Sequence, residues 1–484
     1  MFSPISRTDV SARAVAFALA LVSVPGVAGA GQREPNGTAE RASDRVTALA
    51  AVSSAGGEVE ILRDEVDALR RQLTGLAAEL RALRAMIPAG AASAAAASGT
   101  DSGASPAGPA AQNLAAAAEP IEMRPARLET LAPTTEPSAS RVPIRVAGAI
   151  VSNTAMNSGD ANWLESPNIV GPAAGGSMTS TMRQSRVGVH VQPLPVGPWQ
   201  ATGSLVVDFF GGTPGFVTGP VMGLPRLLVA FGRLEHAGTA IQAGQDHVML
   251  APRDPTSLAA FAFPQFFRAG NLFLRAPQVR IEQRVGGVTV KAGVVAPLAG
   301  DASGSYTFAP VAGAGERSER PALESHIGFD RGDAAAAGEF HVGVSGHYGW
   351  MRQGGVVGAK SAGALDFLAR RGRLGLAGEL FASGDLDAYG AGVGQPGRAA
   401  GGWIEARVAA ASRLAVNGGL ALDRRPDGAG AAGYRGNTSA FGNVILRLTP
   451  EVAASLEYKW LQTRYRSGSQ RQNHHVNAVL ALYF

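Results

Sequence analysis

From Ile144 to Phe484 the chain repeats segments of about ten residues in which every second position is apolar. Representative rows are Ile144/Val146/Gly148/Ile150, Val187/Val189/Val191, Leu205/Val207/Phe209 and Val288/Val290/Ala292/Val294. Later ones are Phe340/Val342/Val344/Gly346/Tyr348 and Val452/Ala454/Leu456/Tyr458/Trp460. The intervening positions hold Arg, Gln, Ser, Thr, Asp, Glu, His or Gly. Side chains alternate across a strand, so each segment has one oily and one wet face. Gly-, Pro-, Asp- and Ser-rich breaks separate them. A different period governs Val59 to Ile87, where Val59, Leu62, Val66, Leu69, Leu73, Leu76, Leu80, Leu83 and Ile87 step by three and four. That is a heptad seam, predicting a helix about 43 Å long that ends at Pro88.

The connections between strands alternate long and short. Asn153–Ser180, Gly211–Leu224, Val248–Gly270 and Pro297–Glu319 are long; Pro193–Pro198, His236–Thr239, Val285–Gly287 and Arg331–Ala335 are short. Further on, Ser383–Arg398 and Arg424–Asn437 are long, with tight reversals at Ser412 and Thr449-Pro450. A transmembrane barrel with short turns on one side and loops on the other keeps that parity, whereas a sandwich has no reason to. The pairing of Gly354–Leu368 is not fixed by the pattern. At roughly twenty residues per strand plus connection, about sixteen strands fit. The expected fold class is an all-β transmembrane barrel of about 16 antiparallel strands, preceded by an α-helical coiled coil. Trp199, Tyr348, Trp350, Trp403, Trp460, Tyr465 and Tyr483, near strand ends, suit interfacial girdles. The last strand, with Val476, Ala478, Leu480, Leu482 and Phe484 on one face, resembles the closing strand of bacterial outer-membrane barrels.

The amino terminus predicts export. Arg7 and Arg13 precede the apolar run Ala14 to Val24, and Ala28-Gly29-Ala30 offers a small-x-small cleavage site. No later run reaches the ~18 apolar residues of a membrane helix. The domain reading is a signal peptide at 1–30, a weakly ordered segment at 31–58, the coil at 59–87, an Ala/Pro/Gly/Ser-rich linker at 88–142 and the barrel at 143–484. A heptad stripe this narrow cannot be buried by one helix alone, so self-association is expected; the mix of Val and Leu at the seam does not set the number of helices, and three would fit a trimeric barrel best. Outer-membrane residence with the coil in the periplasm follows.

Composition narrows the chemistry. There is no cysteine, hence no disulfide or thiolate site. The net charge of +5 is small for 484 residues and no nucleic-acid motif is present, so nucleic acid is not an expected partner. All but three of the 43 cations are Arg, the lysines being Lys291, Lys360 and Lys459. His474-His475 has no serine partner, and adjacent strand residues point to opposite faces, so no catalytic residues are assigned. His326, His341 and His347 are scattered, and neither a metal nor a cofactor is assigned.

Strand parity turns Arg145, Arg186, His190, Gln242, Asp246, Arg280, Glu282, Arg284 and Lys291 inward, with Asp208 and Arg226. Later strands add Glu324, His326, His341, His347, Glu379, Glu405, Arg407, Asp423, Arg447, Glu457 and Lys459. The early wall is richer in cations and the later wall in carboxylates, which would set a transverse field. Arg275 shares its parity with Val279 and Ile281; a bulge at Pro277 would let both Arg275 and Arg280 face inward.

Gly244-Gln245-Asp246, Asp254-Pro255 and the run Gly270-Asn271-Leu272-Phe273-Leu274-Arg275-Ala276-Pro277-Gln278-Val279-Arg280 resemble the DcaP-like porins. So do Gln184-Ser185-Arg186-Val187-Gly188 and Val207-Asp208-Phe209-Phe210-Gly211. The resemblance implies a trimeric barrel with a periplasmic coil that takes up small, often anionic solutes such as dicarboxylates. It matches Arg186, Arg275 and Arg280 to that family's lumenal cations. In porins the third external loop narrows the channel. The corresponding segment here, Val248–Gly270, carries Phe261, Phe263, Phe266 and Phe267, too many for a solvated loop. It either folds into the lumen, placing Arg253, Asp254 and Arg268 at a constriction, or packs at a subunit interface. The leading expectation is an outer-membrane porin, embedded in outer-membrane lipid, for small polar solutes with anions favoured. The alternative is a structural protein tethering the membrane to peptidoglycan through its coil.

Overall fold

A computed structural model describes residues 142–212, 223–298, 312–333, 338–426 and 433–484. The expected signal peptide, coil and most of the linker lie outside the described residues. The strands are β1 Ile144–Asn157, β2 Ser177–Thr181, β3 Arg186–Val196, β4 Trp199–Asp208, β5 Arg226–His236 and β6 Thr239–His247. Next come β7 Arg275–Val285, β8 Val288–Val295, β9 Ala322–Asp333, β10 Gly338–Gln353, β11 Val356–Arg371 and β12 Leu374–Gly384. The last five are β13 Arg398–Ala411, β14 Leu414–Arg424, β15 Tyr434–Arg447, β16 Val452–Tyr465 and β17 Gln470–Tyr483.

Every neighbouring pair is antiparallel, and the sheet closes on itself. β1 pairs with β17 from Ala149↔Tyr483 to Asn157↔His475. Its other edge pairs with β3 through Ile144–Ala149 and with β2 through Asn153–Asn157. β2 and β3 therefore lie end to end beside β1 and share one place in the wall, so the seventeen segments make a sixteen-strand barrel. Closure leaves no edge with unpaired N–H and C=O groups, the condition for strands to sit in hydrocarbon.

Burial follows the two-residue period, inverted relative to a water-soluble protein. On β17 Val476, Leu480 and Leu482 are exposed, as is Phe484 just after it, while Asn473, His475 and Asn477 are buried. The same oily outer face recurs on β10 (Phe340, Val342, Val344) and β14 (Val416, Leu420). An apolar surface that circles the molecule would be unstable in water and is the natural surface in lipid.

The unassigned segment resolves simply. Gly354-Gly355 makes a tight turn with both residues at positive φ, joining the sixteen-residue strands β10 and β11. Two details depart from the sequence reading. The β6–β7 register runs unbroken through Gln245↔Pro277, so there is no bulge at Pro277. The Pro277 carbonyl accepts from the Ala296 N–H at 2.9 Å, so its nitrogen faces the place where β8 has already ended and no ladder bond is lost. Trp403 and Tyr483 do not join an outer girdle; both are buried on the inner face, because they share parity with Glu405 and Ala481.

Candidate functional site: the lumen and its inward loop

The connection between β6 and β7, residues 248–274, crosses the interior and fastens to the opposite wall. Glu324 on β9 accepts the N–H groups of Met249 (2.7 Å) and Leu250 (3.1 Å). Ser345 on β10 accepts from Ala251 N–H at 3.2 Å. Glu379 on β12 accepts from Arg253 N–H at 2.6 Å, and Asp366 on β11 pairs with the Arg253 guanidinium at 2.7 Å. Glu405 on β13 accepts from Thr256 N–H at 2.9 Å, and Glu457 on β16 from the Ser257 hydroxyl at 2.5 Å and from the Gln265 amide. Asn443 and Asn437 on β15 donate to the carbonyls of Thr256 (2.9 Å) and Arg268 (2.8 Å). A loop lacks a ladder partner for its own amides, and the wall's carboxylates supply the acceptors.

Apolar packing completes the attachment. Leu258 and Phe261 press on Ala149, Val151, Ile445, Ala453, Val479 and Ala481 of the wall. Phe266 packs among Leu368, Trp403, Ala421 and Phe441. Small inner residues leave room for the loop; Gly270, at φ +128°, lies so close to the wall that a Cβ there would sit 2.3 Å from the Gly402 carbonyl. The remaining aromatics gather at one end, where Trp163 stacks on Phe267 and contacts Phe263. Arg268 lies over the Trp163 and Phe267 rings, and burial pushes its guanidinium below the ordinary range.

Cations line the lumen on the side of the early strands and again on that of the later ones. A cavity of about 530 Å³ is lined by Arg145, His190, Arg233, Gln242, Asp246 and Arg280 among others. Arg280 bridges Asp246 (3.1 Å) and Glu282 (2.9 Å), and Arg233 reaches Glu282 at 2.9 Å. Arg226 grips Asp208 with two hydrogen bonds, 2.6 and 3.1 Å, and donates to the Ala262 carbonyl of the loop. Arg275 lies within electrostatic range of Arg186, Arg226, Asp208 and Asp254, three guanidinium groups against two carboxylates. A second cavity, of about 330 Å³, is lined by Arg370, Arg373, Arg407, Arg413 and Arg447 beside Thr256 of the loop.

No protein-family model and no curated protein sequence matches this chain significantly. Solved structures do. The crystal structure of the outer membrane channel DcaP of Acinetobacter baumannii superposes with a TM-score of 0.57 at 14% identity, over 72% of this chain and 99% of that one. The barrel has the DcaP porin fold. An anion-selective porin from Comamonas acidovorans gives a TM-score of 0.48 at 14% identity, over 71% of this chain and 100% of that one. OprB of Pseudomonas putida gives 0.47 at 10% identity, over 70% and 94%.

On this porin barrel most of the residues singled out by sequence fall on the early wall. Arg186 and Asp208 are buried on the inner face, and Arg145, Arg226, Asp246, Arg280 and Lys291 share its parity. Arg284 is exposed at the end of β7, next to the Gly286-Gly287 turn. Arg275 reaches the cluster without any bulge, because as the first residue of β7 it is free to lean over the Phe273 ring, 4.8 Å away, and to donate to His247. Arg253 is not beside these groups: it is an anchor on the later wall. Asp254 accepts from Asn271 at 3.2 Å and faces the Arg186 side. Sequence reading missed Asp366, which lies in the segment whose pairing was open. It also missed the buried asparagines Asn437, Asn443, Asn473 and Asn477. Their signal was there: each sits at the inward parity of a clearly apolar strand.

Proposed function

We propose that this chain is an outer-membrane porin through which small polar solutes diffuse, with anions such as dicarboxylates favoured. One observation carries the selectivity. The carboxylates of the later wall, Glu324, Asp366, Glu379, Glu405 and Glu457, are held as acceptors by the inward loop. They are turned away from any solute that passes on the far side of the loop. Arg145, Arg186, Arg226, Arg275 and Arg280 then stand along the early strands, with Arg370, Arg407 and Arg447 across from them, so that cations outweigh the carboxylates left facing the route. A row of fixed cations in a narrow, low-dielectric passage attracts anions and orients them. The proposal includes the exported precursor, a self-associating coil at 59–87 and the homotrimer that the family resemblance implies, with the coil reaching toward peptidoglycan.

The reading is tested with purified protein in planar bilayers. Discrete conductance steps are expected, and millimolar amounts of a small dicarboxylate should reduce the chloride current by occupying the Arg row. Bilayers that stay silent despite verified insertion would remove the pore; steps insensitive to dicarboxylate would remove the anion site.

A further inference from the structure

Three wall residues outside the Arg row converge on one point. His326 on β9, His341 on β10 and Asp366 on β11 stand on neighbouring strands, all nine-tenths or more buried, with their donor atoms within 4.8 Å of one another. The imidazoles stack with parallel planes, centroids 6.0 Å apart. His326 Nε2 lies 3.0 Å from Asp366 Oδ1, and His341 Nε2 lies 2.9 Å from Asp366 Oδ2.

Two features do not fit a simple hydrogen-bonded network. Both ring nitrogens of His341 face carboxylates: Nδ1 is 2.6 Å from Asp330 Oδ1, and Nε2 faces Asp366. A neutral imidazole has one N–H, so it cannot donate to both. The short contact to Asp330 takes that proton, and Nε2, which is buried, makes no hydrogen bond of acceptable geometry. The second feature is the glycine beside them. A Cβ at Gly343 would be 2.4 Å from Asp366 Oδ1, 2.5 Å from His326 Nε2 and 3.0 Å from His341 Nε2, so only a glycine leaves these side chains room to converge. Two imidazole nitrogens and a carboxylate oxygen thus come together within 4.8 Å of one another, a donor set that zinc takes.

We propose that His326 Nε2, His341 Nε2 and Asp366 Oδ1 bind a divalent transition-metal ion, zinc being the representative case. Two imidazoles select zinc, nickel or copper over magnesium and calcium, which take oxygen ligands. Asp330 holds the His341 ring in the tautomer that presents Nε2, the carboxylate–histidine–metal arrangement found behind ligating histidines. Arg253 on Asp366 Oδ2 does the same for the carboxylate, leaving Oδ1 for the metal. The fourth position is filled by water. This site is independent of ion conduction and stands or falls separately from the porin reading.

The test is zinc titration calorimetry on the whole protein in detergent after chelator treatment. Wild type should bind one ion per chain at this site. Gly343→Ala forces a Cβ against Asp366 Oδ1 and His326 Nε2, displacing the donor atoms, and should weaken binding at least about tenfold, as should the His326→Gln/His341→Gln double variant. His474→Gln, at an exposed histidine, should change nothing. Failure of the wild type to take up zinc, or equal binding by Gly343→Ala and the double variant, overturns the site. Should those variants fail to give heat-modifiable barrels, cobalt decides on wild type alone. The intense visible band of four-coordinate cobalt supports the site, and a purely octahedral spectrum overturns it.

Discussion

At the scale of single residues, Arg275 and Arg280 are the clearest probes of the lumenal charge. Arg280 spans Asp246 and Glu282, so reversing it leaves carboxylates facing each other and lowers stability along with selectivity. Arg275 leans on an aromatic ring and lies among other arginines. Arg275→Glu should therefore shift the reversal potential toward cations while the barrel keeps its heat-modifiable gel migration. An unchanged reversal potential for both Arg275→Glu and Arg280→Glu would take them out of the ion path. Residues of this kind were legible because strand parity assigns a face without any knowledge of tertiary structure. Asp366 was not, since it lies in a stretch rich in Gly and Ala where alternation is weak and the Gly354-Gly355 turn is the only marker. The meeting of His326, His341 and Asp366 depends on the register of three strands, a quantity that no local pattern encodes.

At the scale of elements, the inward loop is held by charge-assisted hydrogen bonds and by apolar contact, and the two can be weakened separately. Glu405→Gln removes the charge that accepts from Thr256 N–H and its hydroxyl; about 1.5–3 kcal/mol of attachment should be lost. The loss would be read as a lower temperature for the gel-mobility transition and as added noise in the open-channel current. Leu258→Ala empties a site with no solvent exposure and should cost about 2–5 kcal/mol in the same thermal assay. An unaltered transition in both variants would mean that the loop is not fastened where these contacts place it. The sequence told that a loop with four phenylalanines must pack against something. It could not tell where, because the hydrogen-bond partners on the later wall lie between 74 and 200 residues further along the chain.

At the scale of the whole molecule, closure and loop placement together decide what a solute meets. The sixteen-strand count, the oily exterior and the alternation of connections follow from a period of two and from turn residues, both local properties. The expected field between a basic and an acidic wall changes once the loop is in place. The acids of β9, β11, β12, β13 and β16 serve the loop, and arginines of both the early and the later strands line the cavities beside it. Shortening the loop, by joining Val248 to Phe273 through a Gly-Ser linker, should uncover those acids. The decisive measurement is the zero-current potential across a planar bilayer under a potassium chloride gradient, for the intact protein and for the shortened form. The account predicts chloride preference for the intact barrel and a shift toward potassium on shortening; potassium preference in the intact protein, or the same potential in both, would contradict it.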